Sequence, residues 1–383
     1  MNILYIMRFW PVYGGGETVT VTLANEFVRR GHNVHVAFQY HKSVDPMPYK
    51  LNDRIKIQQM HTIEGYKDSD VYVMHKYIID NDIDVMINQW GSVDLCYEAR
   101  KGSLSTLVMC WHQETITKFK YKPSLKGKIL SFFHLSDWHS RRWKINVHKH
   151  NVNLVDAYVF LTQAFANEYL KLSRGYNEKK IHAISNPLTY SSFYRMDEYE
   201  SKEQIILFVG RIEEVSKRIS YVLKLWGMIQ KESVSKKWKL VIVGDGPDLQ
   251  NAKKIAKEMD LQRISFEGYC NPKPYYEKSS IFVMTSASEG FGMTLLEAQQ
   301  NGCVPLAMDT YTSLHDIIQD ENNGFIIPEN NFETYIYRLK ELMTNKSLRK
   351  EMAENGIGSS KKYSIDMIVD QWEKLFNELK NEK

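Results

Sequence analysis

The chain lacks the features that define membrane-spanning, secreted and disulfide-stabilised proteins. None of its apolar runs reaches the roughly 18 residues that cross a bilayer. The first residues, MNILYIMRFW, show neither the basic leader nor the small-residue cleavage site of a signal peptide, so we expect none. Only four cysteines are present, without a CxxC pair, which argues against a disulfide framework and against a cysteine zinc site. We therefore expect reduced thiols and a cytoplasmic protein.

Low-complexity tracts and solenoid repeats are also missing from the sequence. Its 383 residues are 43% hydrophobic and 25% charged, which is typical of soluble globular proteins. A chain of this length exceeds one ordinary hydrophobic core, so we expect two domains. The net charge is only +4, but residues 118–150 hold nine Lys and Arg against one acid, Asp137.

Short apolar runs alternate with helical patterns along the chain, which predicts parallel sheets covered by helices. The strands expected in the first half are 3–7, 34–38, 84–88, 105–110 and 157–161. Those expected in the second half are 204–210, 239–244, 263–268, 281–284 and 304–308. The fold class is therefore α/β, with two Rossmann-like doubly wound domains that face each other across a cleft.

The polar stretch 185–204 shows little periodicity and is interpreted as the linker. We expect residues 1–187 to form the N-terminal domain and residues 188–363 the C-terminal domain. The apolar positions of 364–383 predict a last helix with one buried face. We expect this helix to pack back on the N-terminal domain. Ligands of such sheets lie beyond the carboxyl ends of the strands, so the strand-to-helix turns are the informative places.

The turn PVYGGGET (11–18) follows the first predicted strand. Its glycines, among them Gly14 and Gly15, let the backbone approach a ligand and direct N–H groups at an anion. The alternative is a flexible turn. The pattern is not GxGxxG, so a dinucleotide fingerprint is not supported.

The turn VGRIEEVSKR (209–218) offers two cations for a phosphate group. Arg211 follows the strand directly and can form a forked contact, while Lys217 provides a point charge. Ser216 is a plausible N-cap of the next helix. The alternative is a pair of solvated charges.

The stretch SASEGFGMTLLEA (286–298) places two carboxylates around two glycines at the mouth of a helix. The glycines relax the backbone, so that the amides of 290–295 can face a bound anion at the positive end of the helix. Glu297 also fits a capping box, in which it bonds the Thr294 N–H. That alternative does not explain Glu289, which no cap requires. One carboxylate can bond the hydroxyls of a sugar, and the other those of a ribose.

A fourth turn, CWHQE (110–114), contains a histidine after an apolar strand. His112 can bond a substrate or a developing charge, although a lone histidine is more often structural.

Taken together, these turns resemble the retaining glycosyltransferases of family 4, which have the two-Rossmann GT-B architecture. The resemblance covers nearly the whole chain and keeps the order of the family's motifs. The matching segments are Gly14-Gly15-Gly16-Glu17, Gly31-His32, His112, Gly210-Arg211 with Lys217, Gly244-Asp245-Gly246-Pro247, and the run from Glu289 to Glu297. The chain departs from the family's usual pattern at Arg218 and at Asn186-Pro187.

The resemblance implies a role for each of these residues. Arg211 and Lys217 neutralise the diphosphate of the donor as it leaves, and Glu297 holds the ribose hydroxyls. Glu289 holds the donor sugar, and His112 contacts the sugar or the acceptor. The catalytic set is thus Glu289, His112, Arg211 and Lys217. The donor-binding set is Gly14, Gly15, Arg211, Lys217, Tyr269 (near the base), Glu289, Gly290, Phe291, Gly292, Met293, Thr294, Leu295 and Glu297.

By the same resemblance the chain is a retaining glycosyltransferase that needs no metal or other cofactor. It is expected to move a sugar from a UDP- or GDP-sugar to a saccharide or polyprenyl-linked acceptor in capsule, O-antigen or exopolysaccharide biosynthesis. One alternative is another GT-B nucleotide-sugar enzyme, such as a 2-epimerase, which needs no acceptor. Another is a saccharide- or membrane-binding relative without turnover, against which the intact charged residues argue.

Two DxD sequences match the letters of a metal-binding motif in other sugar transferases. They are Asp68-Ser69-Asp70 and Asp82-Ile83-Asp84. Neither follows an apolar strand, so we interpret both as solvated loop or helix-start acids and expect no metal site.

The basic segment 118–150 also carries Phe, Tyr and Trp residues among its charges. Such a segment can lie on an anionic membrane surface, where each basic residue adds roughly 1 kcal/mol. We expect contact with the inner face of the membrane, which suits a lipid-linked acceptor. The alternative is that the aromatic residues pack inward and the charges are solvated. Basic residues among aromatic ones can also bind nucleic acid, but no other feature of the sequence supports such binding.

Overall fold

The computed structural model describes residues 1–11, 15–41, 50–61, 67–112 and 135–382. The chain divides into two compact units. The first comprises Met1–Pro187 with Ile365–Lys383, and the second comprises Leu188–Ser364.

Thirteen strands lie in the described part of the chain. They are β1 Asn2–Trp10, β2 Asn33–His41, β3 Lys56–Gln59, β4 Val85–Asn88, β5 Thr106–Trp111, β6 Ala157–Phe160, β7 Ile181–Ala183, β8 Glu203–Val209, β9 Lys239–Val243, β10 Ile264–Gly268, β11 Ser279–Met284, β12 Val304–Asp309 and β13 Phe325–Pro328.

The α-helices of the described residues are α1 Gly15–Arg29, α2 Asp68–Asp80, α3 Val93–Ala99, α4 Leu135–Leu154, α5 Gln163–Ser173, α6 Glu214–Lys217, α7 Ile219–Ile229, α8 Leu249–Glu258, α9 Lys273–Lys278, α10 Met293–Gln300, α11 Leu314–Ile317, α12 Phe332–Thr344, α13 Lys346–Ser360 and α14 Ile365–Asn381. Short 3-10 helices occupy Glu178–Lys180, Met196–Ser201, Ser233–Ser235 and Lys361–Tyr363. None of the helices described here is both long and apolar enough to cross a membrane.

The first unit is built on a parallel sheet of seven strands in the order β3-β2-β1-β4-β5-β6-β7. Its central strand β1 is apolar on both faces, and Ile3, Leu4 and Ile6 are fully buried, as expected where helices cover both sides of a sheet. The strand order reverses between β1 and β4. This is the point where doubly wound sheets bind ligands.

Helix α14 belongs to the first unit although it closes the chain. Its apolar face includes the buried side chains of Trp372 and Phe376. The Phe376 ring lies 5.8 Å from that of Phe27 on α1. Arg30, in the turn after α1, forms ion pairs with Asp370 at 2.5 Å and Glu373 at 2.9 Å.

The second unit contains a parallel sheet of six strands in the order β10-β9-β8-β11-β12-β13. This order has the same form as that of the first sheet and reverses between β8 and β11. The core includes Trp226 and Trp238, which are both nearly inaccessible. The predicted class, α/β with two Rossmann-like doubly wound units, is confirmed.

Each of the ten predicted strands is present, and three further strands were not predicted. The residues of β3 are all exposed, so this edge strand has no apolar signal. Strand β7 has only three residues. Strand β13, FIIP, is short and ends in a proline. Periodicity cannot detect strands that are this short or this exposed.

Candidate active site

The reversal point of the second sheet brings two of the predicted turns together. Strand β8 ends at Val209 and strand β11 at Met284, and the two strands are neighbours in the sheet. Because both run in the same direction, the turns that follow them meet at one edge. The Ala287 N–H donates to the Ser216 carbonyl at 2.7 Å, which joins the turns directly.

Lys217 and Glu289 form an ion pair across these turns. The Lys217 Nζ lies 2.5 Å from Glu289 Oε1, and the side chains are only 20% and 12% exposed. The Ser286 hydroxyl donates to the same carboxylate oxygen at 2.7 Å. Glu289 Oε2 has no hydrogen-bond partner within the described ranges. One oxygen therefore holds the lysine, and the other remains able to accept a ligand hydroxyl.

Arg211 presents a second cation on the turn after β8. Its side chain is 66% exposed, and the nearest carboxylate is that of Glu213 at 3.9 Å. A contact this long leaves the guanidinium able to form a forked contact with a phosphate group.

The prediction that Ser216 caps the next helix is wrong. Ser216 lies inside the short helix α6, and its hydroxyl donates to Glu213 Oε2 at 2.5 Å. Helix α7 follows Arg218, whose backbone is left-handed with φ of +50° and makes no side-chain cap. The Arg218 guanidinium instead pairs with Glu329 at 2.5 Å.

The turns after β8 and β9 touch through their backbones. Gly244 has φ of +140°, and a Cβ built on it would lie 1.9 Å from the Gly210 carbonyl oxygen. The Ile212 N–H donates to the Asp245 carbonyl at 2.9 Å, which fixes the two turns relative to each other. Only glycine fits such an approach.

The Gly-Phe-Gly run sets the start of helix α10. Gly292 has φ of +97° and stands at the N-cap position. Phe291 is buried, and the Ser313 hydroxyl donates to its carbonyl at 3.2 Å. The Leu295 and Leu296 N–H groups donate to the Gly292 carbonyl at 3.0 and 3.2 Å. The amides of residues 293 and 294 thus precede the first N–H that donates within the helix, and they form its positive end.

Glu297 projects from α10 into the interior and is 7% exposed. It accepts hydrogen bonds from the Thr189 hydroxyl at 2.6 Å and from the Tyr276 hydroxyl at 3.0 Å. Burial raises the pKa of Glu297 to about 7, against the opposing effect of these two bonds. The capping-box alternative is wrong, because the N-cap of α10 is Gly292, not Thr294, and both carboxylate oxygens bond elsewhere. The sequence contained no sign of either hydroxyl partner.

Tyr269, expected near the nucleotide base, follows β10 and is 58% exposed. The chain turns before it at Gly268, where φ is +72°. The ring therefore lies on the surface at the same edge of the sheet as the other turns.

In the first unit, the predicted Gly14 lies outside the described residues, and Gly15 begins helix α1. Trp90, which follows β4, packs so closely on this helix that a Cβ at Gly16 would lie 2.3 Å from Trp90 Cη2. Trp90 also stacks on His112 with ring centroids 4.9 Å apart. Trp90 was not predicted, since an aromatic residue after a strand has no characteristic spacing.

His112 follows β5 and lines a small pocket in the first unit. Tyr5, Gln89 and Trp372 also line this pocket. The His112 Nε2 is enclosed and has no partner among the residues that the structure describes. Burial lowers the pKa of His112 to about 4, so the imidazole is neutral at pH 7.

Asp68 begins helix α2, and Asp70 accepts a hydrogen bond from the Lys67 N–H at 2.8 Å, as helix-start acids do. Within the described ranges, no group of three or more His, Cys, Asp or Glu residues is arranged to hold a metal ion. Most of the basic segment, residues 118–134, lies outside the described residues. Its described part exposes Arg141 and Arg142, with Trp143 64% exposed.

Two models of known protein families match the sequence of this chain. The family model described as Glycosyltransferase Family 4 matches residues 13–190. The model described as Glycosyl transferases group 1 matches residues 195–358. The two matches follow one another and cover most of the chain. The chain therefore belongs to the group 1 and family 4 glycosyltransferases, and it is a glycosyltransferase of GT-B fold.

Individual relatives agree with this assignment. A Haemophilus influenzae protein, described as an uncharacterized glycosyltransferase, is 25% identical over 367 residues, covering 94% of this chain and 95% of that protein. The GalNAc-alpha-(1->4)-GalNAc-alpha-(1->3)-diNAcBac-PP-undecaprenol alpha-1,4-N-acetyl-D-galactosaminyltransferase of Campylobacter jejuni subsp. jejuni is 23% identical over 381 residues, covering 96% of each chain.

The fold is also that of solved glycosyltransferases. A mutant of S. aureus TarM, in complex with fondaparinux, alpha-GlcNAc-glycerol and UDP, has a TM-score of 0.73 to this chain. It is 15% identical, and the match covers 98% of this chain and 100% of that one.

Proposed function

We propose that this chain is a retaining, metal-independent glycosyltransferase that uses a nucleotide sugar. It transfers the sugar to a saccharide or polyprenyl-linked acceptor during assembly of a cell-surface polysaccharide. The observation that carries the proposal is the Lys217–Glu289 pair, set beside Arg211 and the start of α10. In this proposal the two cations serve the diphosphate, and the neighbouring carboxylate serves the sugar.

The leaving diphosphate requires a stabilising positive field. Arg211, Lys217 and the free amides at the start of α10 supply it from fixed positions, without reorganisation during the reaction. Such a set does the work that a bound metal ion does in other transferases. Gly15, which is also expected to offer an amide to a phosphate group, begins helix α1 in the first unit.

The donor sugar is held by Glu289. Its Oε2 accepts a sugar hydroxyl, while Oε1 keeps the Ser286 hydroxyl. Residues 290–292 provide backbone groups for the same sugar. Neutral His112 offers a hydrogen bond to the sugar or the acceptor without adding charge. Tyr269 provides an exposed ring on which the base can stack.

The acceptor class is supported by the relatives. The Campylobacter protein is named for an undecaprenol diphosphate-linked saccharide, and TarM was solved with a glycoside and UDP. The exposed Arg141, Arg142 and Trp143 suit a segment that contacts an anionic membrane surface. Contact with the inner face of the membrane would bring the first unit to a lipid-linked acceptor.

Thermal unfolding with UDP, GDP and ADP, each with and without EDTA, tests the donor site. A nucleotide at about 100 times its dissociation constant stabilises by about 2.7 kcal/mol, which raises the midpoint by several degrees. We expect one nucleotide to do so equally with and without EDTA. No shift with any nucleotide, or a shift that EDTA removes, would contradict the proposal. The anomeric configuration of the product, followed by proton NMR during turnover, tests retention.

A further inference from the structure

Glu297 is held by two hydroxyl groups that come from separate parts of the second unit. Thr189 lies near the start of this unit, and Tyr276 lies on α9. The Thr189 hydroxyl bonds Oε1 and the Tyr276 hydroxyl bonds Oε2, so each carboxylate oxygen receives one donor. No Lys, Arg or His contacts this carboxylate within the described ranges. Its orientation is therefore set by the two hydroxyls.

The number of acceptor positions that remain is informative. A carboxylate offers about four lone-pair sites, two on each oxygen. Thr189 and Tyr276 fill one site on each oxygen, because a carboxylate can only accept. One site remains on each oxygen. That is the pattern that two adjacent hydroxyls of a ribose require.

The two positioning groups are themselves fixed. The Tyr276 side chain is fully buried, and its carbonyl accepts hydrogen bonds from Lys202 Nζ and Cys303 Sγ, both at 3.0 Å. Next to Thr189, the Tyr190 carbonyl accepts from Gln300 Nε2 at 2.6 Å. Because Gln300 also lies on α10, the segment that carries Thr189 is tied to the helix that carries Glu297.

Both hydroxyls also favour the ionised form of this carboxyl group. Burial alone raises the pKa of Glu297, and the bonds from Thr189 and Tyr276 lower it. The charged or titratable groups around it are Tyr276 itself and, behind the Tyr276 carbonyl, Lys202 and Cys303. Removal of either hydroxyl favours the protonated carboxyl, which loses an acceptor site and gains a donor.

We propose that Thr189 and Tyr276 are positioning residues that make Glu297 a reader of both ribose hydroxyls, so that the enzyme selects ribonucleotide over 2′-deoxyribonucleotide donors. This inference rests on the proposed function. The 2′-deoxy compound leaves one buried acceptor unpaired. Because hydrogen bonds to charged groups contribute about 1.5–3 kcal/mol, we expect a roughly ten- to hundredfold preference for the ribonucleotide.

Isothermal titration of the full chain with UDP and 2′-deoxy-UDP, and in parallel with GDP and 2′-deoxy-GDP, tests this selection. The variants are Tyr276→Phe and Thr189→Val, which each delete one hydroxyl, and Thr189→Ser, which keeps it. Tyr275→Phe is a matched control, because its hydroxyl bonds Glu267 at 2.9 Å on the surface. Melting curves report whether each variant is folded.

For the wild type, the Tyr275→Phe control and Thr189→Ser we expect the full preference for the ribonucleotide. Tyr276→Phe and Thr189→Val should bind it roughly tenfold more weakly, and the 2′-deoxy compound almost unchanged. Their preference should therefore fall about tenfold, to between roughly one- and tenfold. In turnover assays of these two variants, KM for the donor should rise while kcat stays nearly constant. The loss of donor affinity in Tyr276→Phe should become smaller at pH 9.

An unchanged ribose preference in both Tyr276→Phe and Thr189→Val would overturn the inference while leaving the donor site intact. If the wild type bound neither UDP nor GDP, the proposed donor site itself would be wrong, and this inference with it. An equal rise in KM for the ribonucleotide donor and for the 2′-deoxyribonucleotide donor would also overturn it, because that pattern indicates a general disturbance of the site.

Discussion

At the scale of single residues, Glu297 couples protonation to folding. Its pKa is raised from 4.5 to about 7 in the folded protein. The folded state therefore binds more protons than the unfolded state between these values, and stability falls as pH rises through 7. The contribution is at most about 3 kcal/mol. We expect the free energy of unfolding by urea to decrease from pH 5 to pH 8 less steeply in Glu297→Gln than in the wild type.

Rising pH should change ligand binding in the opposite direction to its effect on stability. A ribose needs the ionised carboxylate as an acceptor, so the affinity of the wild type for the nucleotide that it binds, UDP or GDP, should increase between pH 6 and pH 8. The Glu297→Gln variant should bind more weakly and show no such increase. Parallel pH profiles for the two proteins, in stability and in binding, would contradict the assignment of this titration to Glu297.

Lys217 and Glu289 are the residues on which transfer should depend most. We expect Lys217→Ala and Glu289→Ala each to lower kcat by at least about a hundredfold, since each removes a charge that acts on the transition state. The fold should persist, because both side chains lie at the rim of the sheet. Lys253→Ala, on the exposed face of α8, is the matched control. Turnover, melting temperature and circular dichroism separate loss of chemistry from loss of fold, and near-normal turnover in either variant would refute its role.

The charged residues of the candidate site could be predicted from the sequence, but the residues that contact them could not. The Arg, Lys and Glu residues stand out because they follow strands and precede helices. Thr189, Tyr276 and Trp90 do not, because each is distant in sequence from the group it contacts. Thr189 is 108 residues from Glu297, for example. Only the sheet order brings such pairs together.

At the scale of elements, the turns after β8 and β9 depend on Gly244. A Cβ there would meet the Gly210 carbonyl at 1.9 Å, and φ is +140°. We expect Gly244→Ala to destabilise the protein by several kcal/mol and to disturb the Arg211 turn. Gly358, inside helix α13, is the matched control, because a Cβ there meets nothing within 4 Å. Gly358→Ala should stabilise slightly, by about 0.5–1 kcal/mol. Urea unfolding measures the stability of both variants. Equal stabilities would contradict the close approach of Gly244 to the Gly210 carbonyl.

Helices and strands could be predicted from the sequence where several of their apolar side chains are buried. Helix α1 shows Val19, Leu23 and Phe27 at a spacing of four, and all three are buried. By contrast, Ser216 has the sequence of an N-cap but lies in the short helix α6, because the chain makes an extra turn before Arg218. Local preference is outweighed there by the contacts between the turns after β8 and β11.

At the scale of the whole molecule, the last helix shows what an amphipathic pattern does and does not establish. The spacing of Ile368, Trp372, Leu375 and Leu379 predicts a buried face, and these side chains are buried. A single sequence does not show which partner covers that face. The ion pairs from Arg30 to Asp370 and Glu373 add charge complementarity that periodicity does not reveal.

The basic segment of the first unit gives the prediction at the largest scale, the location of the enzyme in the cell. Trp143 and Tyr337 are both 64% exposed, one beside Arg141 and Arg142 and the other in the second unit. If the segment contacts a membrane, Trp143→Ser and Arg141→Glu should weaken sedimentation with vesicles containing phosphatidylglycerol. Tyr337→Ser should have no effect.

The charge reversal should cost roughly thirtyfold in partitioning, because each basic residue near an anionic surface contributes about 1 kcal/mol and its reversal about twice that. Binding should weaken at high salt, since the attraction is screened over about 10 Å at 0.1 M. Turnover on a soluble acceptor analogue should remain unchanged in these variants, while turnover on a vesicle-bound acceptor should fall with binding. Equal sedimentation of wild type and variants, or equal binding to neutral vesicles, would show that the charges are simply solvated.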